Sequence, residues 1–135
     1  MSTTTFYLLQ NPDILKTVTD EVRSKFSDYE SITNNNIMAR APFLRAVMSE
    51  SFRIHPPVPL GLPRVSPGDT VDGFYVPAGV EVFTTNYAAT HSPDNFLDAE
   101  KFVPERWLGS ELYKDDKKEA SVPFSLGTRS CIGVK

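Results

Sequence analysis

The chain has a single cysteine, at position 131 of 135. No intrachain disulfide framework and no multi-cysteine zinc or iron–sulfur site can form from it. No apolar run approaches the roughly 18–20 residues that a membrane-spanning helix needs. The first residues lack a basic leader and a small-residue cleavage pattern, so no secretory signal is predicted. Basic residues are not in excess: 14 Lys and Arg stand against 17 Asp and Glu, a net charge of −3. That balance gives no basis for a nucleic-acid-binding footprint. Glycine is missing from the first 60 residues, and nine of the eleven prolines fall between Pro56 and Pro123. The front of the chain is therefore free to be helical, while the rest must be short strands, turns and coil.

What is present suits a globular protein of single-domain length, with 40% hydrophobic residues available for a core. A short helix is predicted over residues 2–10, ending before Asn11-Pro12. Asn11 then serves as an N-cap and Pro12 as the first residue of a second helix, where its missing N–H costs nothing. Ile14, Leu15, Val18, Val22 and Phe26 recur at helical spacing, which carries this helix to about Phe26. A third helix starts near Pro42, with Phe43, Leu44, Val47 and Met48 on one face. It stops at about Ile54, since His55-Pro56-Pro57 cannot continue it. Farther on, Phe74–Val76 and Val80–Thr84 are β-prone and read as a hairpin turning at Pro77-Ala78-Gly79, with Asp72-Gly73 as another tight turn just before. From His91 to Pro123 aromatics occur without periodicity, so this stretch reads as ordered coil pinned by Phe96, Phe102 and Trp107. Residues 110–120 read as an exposed loop with almost nothing to bury. The fold class is α+β, mainly α, with helices first and a small sheet later.

Three clusters carry chemistry. Glu50 and Arg53 lie three apart on the third helix and can pair across one turn. An isolated pair of this kind is usually a weak surface ion pair, but here the rigid Arg53-Ile-His-Pro-Pro stretch follows. A guanidinium with five donors could tie several backbone segments together at that point. Phe102-x-Pro104-Glu105-Arg106-Trp107 adds a second arginine, although an aromatic–proline–charge cluster is more often a packed loop. The third cluster is Phe124-Ser-Leu-Gly127-Thr-Arg129-Ser-Cys131-Ile-Gly133. A lone cysteine is usually a small buried hydrophobe, yet this one has a glycine on either side and an arginine two residues away. Backbone N–H groups of the turn beyond it would point at the sulfur and stabilise a thiolate. Five fixed positions in ten match by chance about 10⁻⁷ times per start site.

The cysteine segment resembles the cysteine loop of the cytochrome P-450 haem-thiolate monooxygenases, whose pattern is F-x-x-G-x-R-x-C-x-G. Glu50-x-x-Arg53 and Pro104-Glu105-Arg106-Trp107 match two further motifs of that family in the right order. The string from Gly61 to Val82 resembles the sheet of fungal microsomal-type members. The resemblance implies a C-terminal portion of the family fold, truncated at both ends: helices, small sheet, coil meander and cysteine loop. It implies Cys131 as axial ligand of haem b iron, where a thiolate favours O–O cleavage. Arg129 and Arg64 match positions that hold haem propionates by Arg–carboxylate pairing, and Phe124 a position packed beside the haem. Glu50, Arg53 and Arg106 match a structural triad rather than acid–base catalysts.

His55 and His91 are expected to pack or hydrogen-bond, not to ligate iron. No catalytic residue is assigned: the family's oxygen-activating threonine falls upstream of this sequence, so Thr3, Thr4 and Thr5 are not assigned to that role. For a full-length protein the resemblance implies O₂, a small organic substrate and electrons from NADPH through cytochrome P-450 reductase. It also implies an anchor placing the protein at the cytosolic face of the endoplasmic reticulum. Two alternatives stand beside monooxygenation: an inactive fragment with no stable haem site, and haem-thiolate isomerase or dehydratase chemistry that needs no reductase.

Overall fold

A computed structural model describes residues 2–134. Four helices come first: α1 (Ser2–Gln10), α2 (Pro12–Lys25), α3 (Asn34–Arg40) and α4 (Pro42–Ile54). Four short strands follow: β1 (Arg64–Val65), β2 (Asp69–Val71), β3 (Phe74–Val76) and β4 (Glu81–Val82), then α5 (Asn86–His91). Beyond α5 the chain runs through 3-10 turns at Pro104–Leu108, Glu111–Tyr113, Lys118–Ala120, Gly127–Arg129 and Ile132–Val134.

Pro12 and Pro42 each open a helix at its first turn, where a missing N–H leaves no bond unmade. Asn11 precedes Pro12 as expected, but its side chain does not cap α2. Its Nδ2 donates 2.8 Å back to the Tyr7 carbonyl and so satisfies an otherwise open acceptor at the end of α1. Helix α4 receives its N-terminal cap from another helix. The Glu21 carboxylate of α2 accepts from the N–H groups of Phe43 and Leu44 at 3.0 and 2.9 Å, meeting the positive end of α4 with negative charge. Helix α3 lies in a stretch with no apolar periodicity. It begins at Thr33, whose Oγ1 accepts from the Asn36 N–H.

The core is where α1, α2 and α4 meet the coil. Val18, Val47, Ile54 and Phe102 are buried together, with Tyr7, Leu8, Ile14, Val22, Phe43 and Leu44 packed around them. The Phe102 ring stacks on Tyr7 with centroids 4.9 Å apart, which fixes this part of the coil segment against α1.

The strand pairing differs from the sequence expectation. Strand β3 pairs with β2 rather than with the strand after it, in the register Asp69↔Val76, Thr70↔Tyr75, Val71↔Phe74. The turn is Asp72-Gly73, both residues at positive φ (49° and 82°), the backbone of a tight two-residue hairpin. Strand β4 pairs instead with β1, as Arg64↔Val82 and Val65↔Glu81, so one ribbon encloses the other hairpin. Pro77-Ala78-Gly79 connects the two ribbons, with the Gly79 N–H donating to the Ser66 carbonyl at 3.0 Å. Most side chains of these strands are exposed, including Phe74 and Tyr75 at 75% and 70%, which as successive strand residues point to opposite faces of the ribbon.

Candidate haem-thiolate site and its buried ion cluster

Helix α4 places Glu50 and Arg53 one turn apart, both wholly buried. Arg53 grips Glu50 with two parallel bonds, Nε to Oε2 and Nη2 to Oε1, each 2.9 Å. The rest of its guanidinium donates to three carbonyls distant in sequence: Thr90 at 2.8 Å, Ala99 at 2.7 Å and Lys101 at 2.9 Å. One arginine thus sews the end of α5 and the coil that follows onto α4.

Arg106, also wholly buried, enters from the 3-10 turn at Pro104–Leu108. Its Nε donates to Glu50 Oε1 at 3.1 Å, and both terminal nitrogens donate to the Leu97 carbonyl at 3.1 Å. Glu50 further accepts from the Val103 N–H and the Trp107 indole, both at 2.9 Å. Phe96, fully buried, lies under both guanidinium groups, 5.2 Å from Arg53 and 5.7 Å from Arg106.

Residues 110–120 are not the wholly exposed loop that their composition suggests. Tyr113 is buried, its ring 4.7 Å from the Arg106 guanidinium, and its hydroxyl donates to Asp98 at 3.2 Å. Asp116 is ion-paired with Arg106 while its side chain is only 2% exposed. Charged residues at neighbouring positions hide this inward anchor in the sequence. Its signal is the tyrosine among them, whose ring needs somewhere to go.

Burial holds the Tyr113 hydroxyl above its ordinary range, and donation to Asp98 pushes the same way. Asp98 is held below the usual carboxylate range, first by its bond to Lys101. A raised tyrosine stabilises the fold fully below its unfolded value of about 10 and loses that contribution as pH rises through the folded value. Tyr113→Phe is therefore expected to lose less stability than wild type between neutral and strongly alkaline pH, by urea titration. Equal alkaline losses would count against this.

The cysteine loop packs against another face of α4. The Cys131 N–H donates to the Phe124 carbonyl at 2.8 Å and closes the loop, with Ser125 and Gly127 at positive φ (61° and 72°). The Phe124 ring meets Phe52 of α4 edge-on, centroids 5.4 Å apart, so the loop is hooked to the helix that carries Glu50. Cys131 is exposed, not buried as a structural cysteine would be. Its sulfur faces the Gly133 N–H at 3.4 Å, a donor that stabilises negative charge there.

Two clefts adjoin the loop. One of about 250 Å³ is lined by Val58, Pro123, Phe124, Arg129 and Cys131 among others. The second, of about 400 Å³, contains Arg64, Phe83 and Leu126. Leu62, Asn86, Val122 and Ser125 line both, so they form one trough. Arg64 donates to the Pro63 carbonyl at 2.9 Å, and among the described residues neither Arg64 nor Arg129 is ion-paired. His91 stacks on Tyr87 at 3.9 Å and its Nδ1 lies 3.0 Å from the Tyr87 carbonyl. His55 is exposed on the side of α1, and neither histidine lines the trough; nor do Thr3, Thr4 or Thr5.

The cytochrome P-450 family profile matches residues 1–135. The chain belongs to the cytochrome P-450 family. It is 47% identical over 136 residues to the cytochrome P-450 monooxygenase lnbC of Aspergillus flavus, covering 99% of this chain and 27% of that protein. A cytochrome P-450 monooxygenase of Penicillium roqueforti is 44% identical over 133 residues, covering 98% of this chain and 26% of the relative. Among solved structures, a zebra fish cytochrome P-450 with abiraterone superposes at a TM-score of 0.82. Its identity is 30%, with 98% of this chain and 30% of that chain covered. The mainly helical architecture with small sheets is thus that of part of the cytochrome P-450 fold. The chain spans about a quarter of the length of the curated relatives it matches. No described helix is long and apolar enough to cross a membrane. Among the described residues no three His, Cys, Asp or Glu side chains are grouped to hold a metal ion. The sulfur donor beside the trough is Cys131.

Proposed function

We propose that this chain supplies the thiolate side of the haem site in a fungal cytochrome P-450 monooxygenase, as a C-terminal portion of that enzyme's single catalytic domain. The observation that carries the proposal is the pairing of an exposed cysteine sulfur, faced by a backbone N–H, with an apolar trough bearing two arginines free of carboxylate partners among the described residues. These residues fit a flat apolar group with acidic substituents and a metal at its centre. Cys131 would bind the iron, while Arg129 and Arg64 would hold the propionates as charge-assisted pairs. Phe124, Leu62 and Val122 would cover its apolar surface. When bound, haem activates O₂ so that one oxygen atom enters an organic substrate, with electrons from NADPH through a reductase. The residues of this chain would hold the group, present the sulfur to its iron and keep its acidic edge paired. Glu50, Arg53 and Arg106 act on the site only by fixing the backbone that leads to the loop. In the complete enzyme this activity belongs at the cytosolic face of the endoplasmic reticulum.

The test is a graft. Residues 1–135 replace the matching segment of the Aspergillus flavus relative, and the reduced, CO-exposed protein is read for the thiolate-type Soret band. The graft is expected to give that band and monooxygenase turnover; a histidine-type or free-haem spectrum would sink the proposal. The 135-residue chain alone, mixed with haem, is expected to give no stable thiolate-type band. Leu126 and Phe83 line the trough at 72% and 57% exposure and leave it open to water. A stable band from the chain alone, lost in Cys131→Ala, would show that the trough needs no further cover.

A further inference from the structure

Arg53 and Arg106 are both fully buried and always charged, and Glu50 alone cannot neutralise both. All of its acceptor capacity is already engaged: Oε1 takes Arg53, Arg106 and the Val103 N–H, and Oε2 takes Arg53 and Trp107. A cluster of these three residues would leave one unbalanced positive charge in the interior, which is strongly unfavourable. The far side of Arg106, its Nη1, meets Asp116. The other carboxylate oxygen of Asp116 accepts from the Leu97 N–H at 2.8 Å. Beside it the Lys117 N–H donates to the Asn95 carbonyl at 2.8 Å.

We infer that Asp116 is a positioning residue for this site: it makes the ion cluster neutral and latches the segment that feeds the cysteine loop onto the buried arginine. With Asp116 included, two carboxylates face two guanidinium groups and the sum is zero. The latch acts fifteen residues ahead of Cys131, at the last buried ionic contact before the chain turns toward Phe124. Asp115, the next residue back, is exposed and makes no ion pair among the described residues. Two adjacent aspartates therefore have opposite roles, and position relative to Arg106 separates them. The inference concerns the placement of the chain, and it stands or falls independently of whether the trough holds haem.

Trp107 is the only tryptophan, and its indole donates directly to Glu50, so its fluorescence reports the cluster. Asp116→Asn keeps the shape and removes the charge. In the 135-residue chain it is expected to shift Trp107 emission to longer wavelength and raise acrylamide quenching at least twofold. Tryptic cleavage at Lys117 and Lys118, mapped by mass, should accelerate in the same variant. Asp115→Asn should change none of these. Asp116→Glu, which restores the charge, should recover most of the native emission, even if the asparagine variant fails to fold. Two results would overturn the inference: Asp116→Glu behaving like Asp116→Asn, or emission and cleavage in Asp116→Asn equal to those of Asp115→Asn.

Discussion

Glu50→Gln is expected to remove a large share of the stability of the chain, although the substitution changes one oxygen to one nitrogen. In the native arrangement one carboxylate oxygen accepts from Arg53, Arg106 and the Val103 N–H, and the other from Arg53 and the Trp107 indole. Whichever oxygen becomes an amide group, its N–H bonds then point at two or three other donors. The guanidinium groups also lose half of their counter-charge in a region with no access to water. Removing one partner of a buried ion pair typically costs about 3–5 kcal/mol, against a total of roughly 5–15 kcal/mol for an ordinary domain. The midpoint of urea unfolding, followed by Trp107 fluorescence and far-ultraviolet circular dichroism, should fall sharply or vanish.

A control makes the reading specific. Lys16 and Asp20 also form a short ion pair, 2.6 Å, but their side chains are 76% and 60% exposed. Their mutual attraction raises the Lys16 pKa, chiefly through the hydrogen bond to Asp20. An exposed pair is screened by water and salt, so Asp20→Asn should leave the urea midpoint unchanged. A Glu50→Gln midpoint as close to wild type as that of Asp20→Asn would mean that the buried cluster contributes little.

The difference between these two pairs explains how far the sequence could be read. Both are helix-spaced charge pairs, and spacing alone assigns each the same weak surface role. What marks Glu50 is its position ahead of Arg53-Ile-His-Pro-Pro and the later Arg106, features that become decisive only through the family pattern. Helices α2 and α4 are legible because proline boundaries and apolar periodicity agree there, and α1 from the Asn11-Pro12 boundary that ends it. Helix α3 was not, since Asn34–Arg40 lacks a periodic face and is defined by a threonine cap and its junction with Pro42. The sequence pairs the wrong strands because Pro77-Ala78-Gly79 and Asp72-Gly73 are both turn sequences. The two-residue turn with both φ values positive fits β2–β3, and this leaves β4 to pair with β1. Asp116 was hidden by its neighbours: burial of one charge in a charged run depends on a partner ten residues earlier in the chain.

Cys131→Ala is expected to show the opposite profile to Glu50→Gln. The cysteine side chain is exposed, and among the described residues its sulfur accepts a hydrogen bond from the Gly133 N–H at 3.4 Å. The loop itself is closed by the Cys131 backbone N–H on Phe124 and by the Phe124–Phe52 ring contact, neither of which the substitution touches. Stability should therefore change by no more than about 0.5 kcal/mol, as for an ordinary surface replacement. In the grafted monooxygenase, the same change should abolish the thiolate-type band and turnover, because no second sulfur exists among the cysteines of residues 1–135 to take its place. His91→Ala in that graft should leave the spectrum of the iron as it was, since His91 is engaged with Tyr87. Fold and the proposed ligation would thus rest on separate residues, the buried cluster on one face of α4 and the loop against another. If Cys131→Ala keeps the thiolate-type band, the assignment of this sulfur to the iron fails. If it instead unfolds the chain, the cysteine is part of the core, contrary to its exposure.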